Sequence, residues 1–142
     1  MRRWIRTLLL DAVPAQVEPV RAALRAFRPD VLLSDVQMQG GEGYFLIRAV
    51  RALPAEPPID IAFIDADKTG YRAYYDEIVA RLRPGGLVLL DNVLWSGAVA
   101  DAADRTVDTQ AIRALNAKIH RDERVSASMV PVGDGLFLAR KR

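Results

Sequence analysis

The chain has 142 residues, 51% of them hydrophobic and 27% charged, with 20 basic and 18 acidic side chains for a formal charge of +2. That length and composition fit one globular domain with a buried core and exclude a disordered tail, and the near balance of charge provides no basic stripe for nucleic acid. Cysteine is absent and His120 is the one histidine, which removes disulfides, thiolate metal sites and cysteine nucleophiles and argues against a Ser-His-Asp triad.

The elements read in order as alternating strands and helices. Trp4 to Leu10 is a predicted strand, ending at Asp11. Its Leu8-Leu9-Leu10 run is too short for the apolar region of a signal peptide, and no run approaches the roughly 20 apolar residues of a membrane helix. The expectation is a cytoplasmic protein with no membrane or nucleic-acid partner. Val20, Ala23, Leu24 and Phe27 share one helical face, and Arg28-Pro29-Asp30 stops that helix. Val31 to Asp35 is a second strand, followed by the loop Gln39-Gly40-Gly41-Glu42-Gly43. Leu46, Ala49, Val50 and Leu53 have helical spacing again, and the prolines of Leu53–Pro58 make a break. Ile59 to Ile64 is a third strand, apolar except for Asp60 and expected to be buried on both faces. Tyr71, Tyr74, Tyr75, Ile78 and Leu82 line a helix that Pro84-Gly85-Gly86 ends. Leu87 to Leu90 is a fourth strand. A helix spans about Thr106 to His120. Val125–Val132 and Leu136–Ala139 are two last strands, with Gly133-Asp134-Gly135 as the hairpin turn between them. The order predicts an α/β fold: a doubly wound, mostly parallel, Rossmann-like sheet of about six strands with a C-terminal antiparallel hairpin.

In such sheets the ligand site lies outside the carboxyl ends of the strands. Asp11, Asp35, Asp65 and Asp91 stand at the ends of the first four. Any one loop acid is equally an ordinary turn or helix cap. Asp65, Asp91 and Asn92 make the stronger set, because an unpaired charge after a buried strand is costly. Two carboxylates and an amide oxygen are hard ligands, suited to Mg²⁺, Ca²⁺ or Mn²⁺.

The stretches Ile61-Ala62-Phe63-Ile64-Asp65-Ala66-Asp67-Lys68, Tyr71, Tyr74-Tyr75, Leu82-Arg83-Pro84-Gly85-Gly86, Asp91-Asn92-Val93-Leu94-Trp95-Ser96-Gly97 and Pro131-Val132-Gly133-Asp134-Gly135-Leu136 resemble the C-terminal half of the cation-dependent class I O-methyltransferases, the group of caffeoyl-CoA and catechol O-methyltransferases. The resemblance runs from about Pro58 to the end. It implies an enzyme that methylates a catechol-like or other vicinal-oxygen small molecule, with S-adenosylmethionine and a divalent cation (Mg, Ca or Mn) as cofactors. It implies metal ligation by Asp65, Asp91 and Asn92, and Lys68 as the general base. It also implies an S-adenosylmethionine pocket along Asp65, Asp67 and Tyr74, and Trp95 flanking the acceptor. It further suggests homodimers. Apart from the resemblance, Lys68 reads equally as a surface lysine, the tyrosines as a core stripe and Trp95 as a buried anchor.

The front of the chain reads differently. Ala23 to Met38, Gly43-Tyr44 and Leu46 to Pro54 resemble the middle of a response-regulator receiver domain, with Asp35 in the place of the phospho-acceptor. Met38-Gln39-Gly40-Gly41-Glu42-Gly43 departs from the receiver pattern, lacking its proline and aspartate. The expectation is thus one α/β domain over 1–142, composed of a receiver-like segment, 1–57, and a methyltransferase-like half, 58–142, without a recognisable cofactor-binding front. The alternative to an active enzyme is a non-catalytic α/β domain, or a signalling module phosphorylated at Asp35.

Overall fold

The computed structural model describes Thr7–Asp11, Val31–Val36, Arg51 and residues 58–142. Strands β1 (Thr7–Asp11), β2 (Val31–Val36), β3 (Ile59–Ala66) and β4 (Leu82–Leu90) are followed by β5 (Val125–Val130) and β6 (Leu136–Lys141). Two α-helices are described, α1 (Tyr71–Arg81) and α2 (Val107–Arg121), with a 3₁₀ turn at Lys68–Gly70 and a kinked turn segment at Trp95–Ala100 in which Ser96 and Gly97 are not helical. The strands form one sheet in the order β1-β2-β3-β4-β6-β5. β1 to β4 are parallel, and β6 pairs antiparallel with both β4 and β5. The sheet is therefore mixed, and the closing hairpin is its antiparallel part.

Both described helices pack on the same face. Ala62 and Ile64 of β3, Val88 and Leu90 of β4, and Phe137 and Ala139 of β6 bury that face against Tyr71, Tyr74, Tyr75 and Ile78 of α1 and Leu115 and Ile119 of α2. The register explains the layer: Ile64, Leu90 and Phe137 are successive partners across three strands, as are Ala62, Val88 and Ala139, and alternate residues share a face. Ile61 and Phe63 on the other face are only half-buried, so β3 is not the strand buried on both sides that its composition predicts. The predicted helices around 20–27 and 46–53, on which a doubly wound arrangement depends, lie outside the described residues, as does the loop Gln39–Gly43.

Two boundaries move for physical reasons. The fourth strand begins at Leu82 instead of Leu87. Ile59 pairs with Leu82 and Ile61 with Leu87, so three extra residues of β4 bulge out, and Pro84 is tolerated there because a bulge needs no ladder N–H. Gly85 has φ +79°, and a Cβ on Gly86 would meet the Arg83 and Asp60 carbonyl oxygens at 2.9 and 3.1 Å. The Pro84-Gly85-Gly86 stretch that reads as a helix stop is the corner of this bulge. β5 stops at Val130 because Pro131 has no N–H to pair. α2 is capped as its composition demands. The Thr106 hydroxyl accepts from Thr109 N–H, Asp108 sits in the first turn, and Lys118, His120 and Arg121 sit in the last. No described helix is long and apolar enough to cross a membrane.

Candidate active site

The carboxyl ends of β3 and β4 lie side by side, and Asp91 N–H donates to Ile64 O at 3.0 Å. Asp11, Asp35 and Asp65 are register partners across β1, β2 and β3, so the backbone brings the first three strand-end acids to one edge and Asp91 follows β4 there. The side chain of Asp35 lies outside the described residues, and nothing more is derived for it.

Lys68 is the centre of the site. It opens the 3₁₀ turn after β3 and is only 8% exposed, which a plain surface lysine would not be. Its ammonium donates to Tyr71 Oη at 2.5 Å, Asn92 Oδ1 at 3.1 Å and Asp65 Oδ1 at 3.3 Å. The Trp95 ring centre lies 5.4 Å from Nζ, within cation–π range. The Asp65 side chain is 41% exposed, so its charge is matched by Lys68 and by water and is not stranded in the core. Asp91 Oδ1 accepts from Asn92 N–H at 2.7 Å. Asn92 has φ 55°, a left-handed conformation that asparagine tolerates better than most residues.

Tyr71 joins these parts. Its phenol is fully buried and donates to Asp91 O at 3.0 Å while accepting from Lys68 and, at 3.4 Å, from Ala66 N–H. Burial first, then the charges of Asp65, Asp91 and Asp67, push its ionisation far above the ordinary tyrosine value, so it remains a neutral hydroxyl. The helical spacing of Tyr71, Tyr74 and Tyr75 identifies a core stripe, and all three are buried. That pattern conceals the second task of Tyr71, as the hydroxyl that seats Lys68.

Asp67 is beside this centre. It caps the 3₁₀ turn, with Oδ2 accepting from Gly70 N–H at 2.8 Å and Thr69 Oγ1 at 3.2 Å, while Tyr74 O–H donates to Oδ1 at 2.5 Å. A Cβ on Gly70 would lie 2.5 Å from the Tyr74 ring, so the tyrosine reaches Asp67 only because residue 70 is glycine. The site residues predicted from sequence thus form two adjoining groups: Lys68 with Asp65, Asn92, Asp91 and Trp95, and Asp67 with Tyr74.

Among the described residues no three His, Cys, Asp or Glu side chains converge as a metal site; the expected trio has two carboxylates and one amide. Its chemistry still fits a hard cation, because Asp65 Oδ1 and Asn92 Oδ1 both already face one positive centre, the Lys68 ammonium.

Residues 25–142 match the O-methyltransferase family profile. The chain belongs to the O-methyltransferase family. It is 48% identical over 87 residues to probable caffeoyl-CoA O-methyltransferase 1 of Dictyostelium discoideum, covering 61% of this chain and 38% of that protein. It is 45% identical over 82 residues to catechol O-methyltransferase domain-containing protein 1 of Mus musculus, covering 58% of this chain and 31% of that one. The chain thus spans well under half the length of these relatives. Its fold is similar to the Bacillus cereus O-methyltransferase solved in complex with SAH, with TM-score 0.67, 24% identity, and 96% of this chain and 62% of that one covered. The O-methyltransferase match includes residues 25–57, most of the stretch that resembles a receiver, and the receiver resemblance has no support beside it.

Proposed function

We propose that this chain supplies the catalytic edge of an S-adenosylmethionine-dependent O-methyltransferase that acts on a catechol-like or other vicinal-oxygen small molecule with the aid of a divalent cation. The observation that carries the reading is Lys68, buried at the ends of β3 and β4 and held by Asp65, Asn92 and Tyr71. The names of the relatives, a caffeoyl-CoA O-methyltransferase and a catechol O-methyltransferase domain protein, support the substrate class. The SAH complex of the Bacillus cereus neighbour supports the methyl donor.

In this reading Asp65, Asp91 and Asn92 would hold the cation. When bound, it would supply Lewis acidity and orient the acceptor's two oxygens. Lys68 Nζ takes the proton of an acceptor hydroxyl placed near Asp65 and Asn92. The amine must be neutral to accept that proton, and Tyr71, Asn92 and Asp65 fix where Nζ stands when it does. Asp67 and Tyr74 line the donor side, and Trp95 covers the acceptor side. The donor brings a methyl group on a sulfonium, and the remaining work is alignment of oxygen and methyl. Titration calorimetry of the chain with S-adenosylmethionine, with and without Mg²⁺, tests this. Saturable heat that strengthens with Mg²⁺ and weakens in Asp91→Ala is expected. No heat at roughly millimolar ligand overturns it.

A further inference from the structure

The segment from Asp91 to the start of α2 has an unusual backbone. Trp95 and Ser96 both have φ 51°, Gly97 has φ 83°, and Asn92 precedes them at φ 55°. A bulky residue with positive φ is uncommon, and such a conformation persists only where the surroundings over-determine it. Two distant parts of the chain provide that. On one side is the hairpin turn. Gly135 O accepts from Val93 N–H at 3.1 Å, Asp134 O accepts from Leu94 N–H at 2.9 Å, and Asp134 Oδ1 accepts from Ser96 N–H at 2.6 Å. On the other side is α2. Arg113 donates to the carbonyls of Val99 at 3.0 Å, Asp104 at 2.7 Å and Ala98 at 2.8 Å, and also to that of Asp101. One turn later Asn116 Nδ2 donates to Val93 O at 2.8 Å.

Arg113 is thus committed to main-chain oxygens of one loop. Four carbonyls in an arc demand a planar fork of fixed donors, which lysine does not have. The segment so held, from Ala98 to Asp104, follows directly on the left-handed Trp95–Gly97 turn, whose Trp95 ring lies 5.4 Å from Lys68 Nζ. We propose that Arg113 is a positioning residue for the acceptor side of the site, its guanidinium holding the Trp95 turn in its left-handed conformation beside Lys68. The proposal rests on the reading of Trp95 as the acceptor-side wall.

Trp95 itself reports on it. The chain has two tryptophans, so Trp4→Phe leaves Trp95 as the one emitter. Acrylamide quenching and the emission maximum are then compared for Arg113, Arg113→Met and Arg113→Lys. The Met variant is expected to show a quenching constant about twofold higher and red-shifted emission, through local opening of the loop, while thermal unfolding stays cooperative. The Lys variant should lie close to the Met variant, because one ammonium does not span the arc. Unchanged Trp95 emission and quenching in a folded Arg113→Met overturns the proposal. If Arg113→Met does not fold, Arg113→Lys decides by the same comparison. The readout requires no methyl transfer. A responsive Trp95 in a chain that gives no heat with S-adenosylmethionine would overturn the function and leave the clamp standing; the reverse result would do the opposite.

Discussion

At the scale of single residues the site depends on one buried ammonium. Lys68 faces Asp65, Asn92, Tyr71 and Trp95 together, and replacing it separates its two effects. Lys68→Met keeps the aliphatic stem and removes the charge. It should lower methyl transfer by about 10²–10⁴-fold, the usual contribution of a positioned base. It should at the same time strengthen Mg²⁺ or Mn²⁺ binding, because the positive charge that faces the same oxygens is gone. Calorimetry with the metal alone reads the second effect, and weaker metal binding in Lys68→Met would sink the account. Asp65 and Asn92 were legible in the sequence as part of the acidic set at the strand ends, and Lys68 only through the family resemblance of its motif. The hydroxyl of Tyr71 was not. A tyrosine at core spacing looks the same whether or not its tip meets a partner, and the bond to Asp91 O spans 20 residues.

At the scale of elements the turn between β5 and β6 matters more than its length implies. Gly133-Asp134-Gly135 reads as a hairpin signal, and it makes that hairpin, with Gly135 N–H donating to Val132 O at 3.0 Å. It also holds Val93, Leu94 and Ser96, a task with no local signature because the Asp134–Ser96 partners are 38 residues apart. Gly135 has φ +84°, and a Cβ there would come within 2.4 Å of Leu94. Gly135→Ala therefore combines a disfavoured backbone with a collision against the loop that follows the Asp91-Asn92 pair. A loss of about 2–3 kcal/mol is expected in urea unfolding, together with weaker metal binding. A neutral effect on both would show that the turn and the Leu94 loop are not coupled. The strand and helix periods foretold β3, α1, α2 and the hairpin within a few residues. They missed the bulge in β4, because Pro-Gly-Gly signals a break in a helix and a corner in a strand with equal force.

At the scale of the molecule, one charged cluster joins elements far apart in the chain. Arg124, just before β5, pairs with Asp122 at 2.6 Å and with Asp76 of α1 at 3.1 Å, and Lys118 of α2 pairs with Asp76 at 2.8 Å. Tyr75 O–H, buried in α1, donates to Asp122 Oδ2 at 3.0 Å. Asp122 is the keystone at 8% exposure. Its bonds from the Arg124 guanidinium, with further bonds from Arg124 N–H and Tyr75, hold its ionisation well below the ordinary carboxylate range. The sign follows from linkage. The unfolded carboxyl titrates near pH 4 and the folded one lower, so the folded state gains from Asp122 above about pH 4 and loses that gain as the pH falls towards the folded value. Wild-type stability should therefore decline on acidification below about pH 4, partly through this residue. Asp122→Asn keeps the shape and discards the charge. It should cost about 1 kcal/mol at pH 7, because the Arg124 partner is 46% exposed and water screens the pair, and it should flatten the acid-side decline. Urea midpoints at pH 7, 4 and 3 measure both. A variant that loses stability at pH 7 yet declines below pH 4 as steeply as the wild type would assign the acid sensitivity to other carboxylates and reduce Asp122 to a neutral hydrogen-bond acceptor.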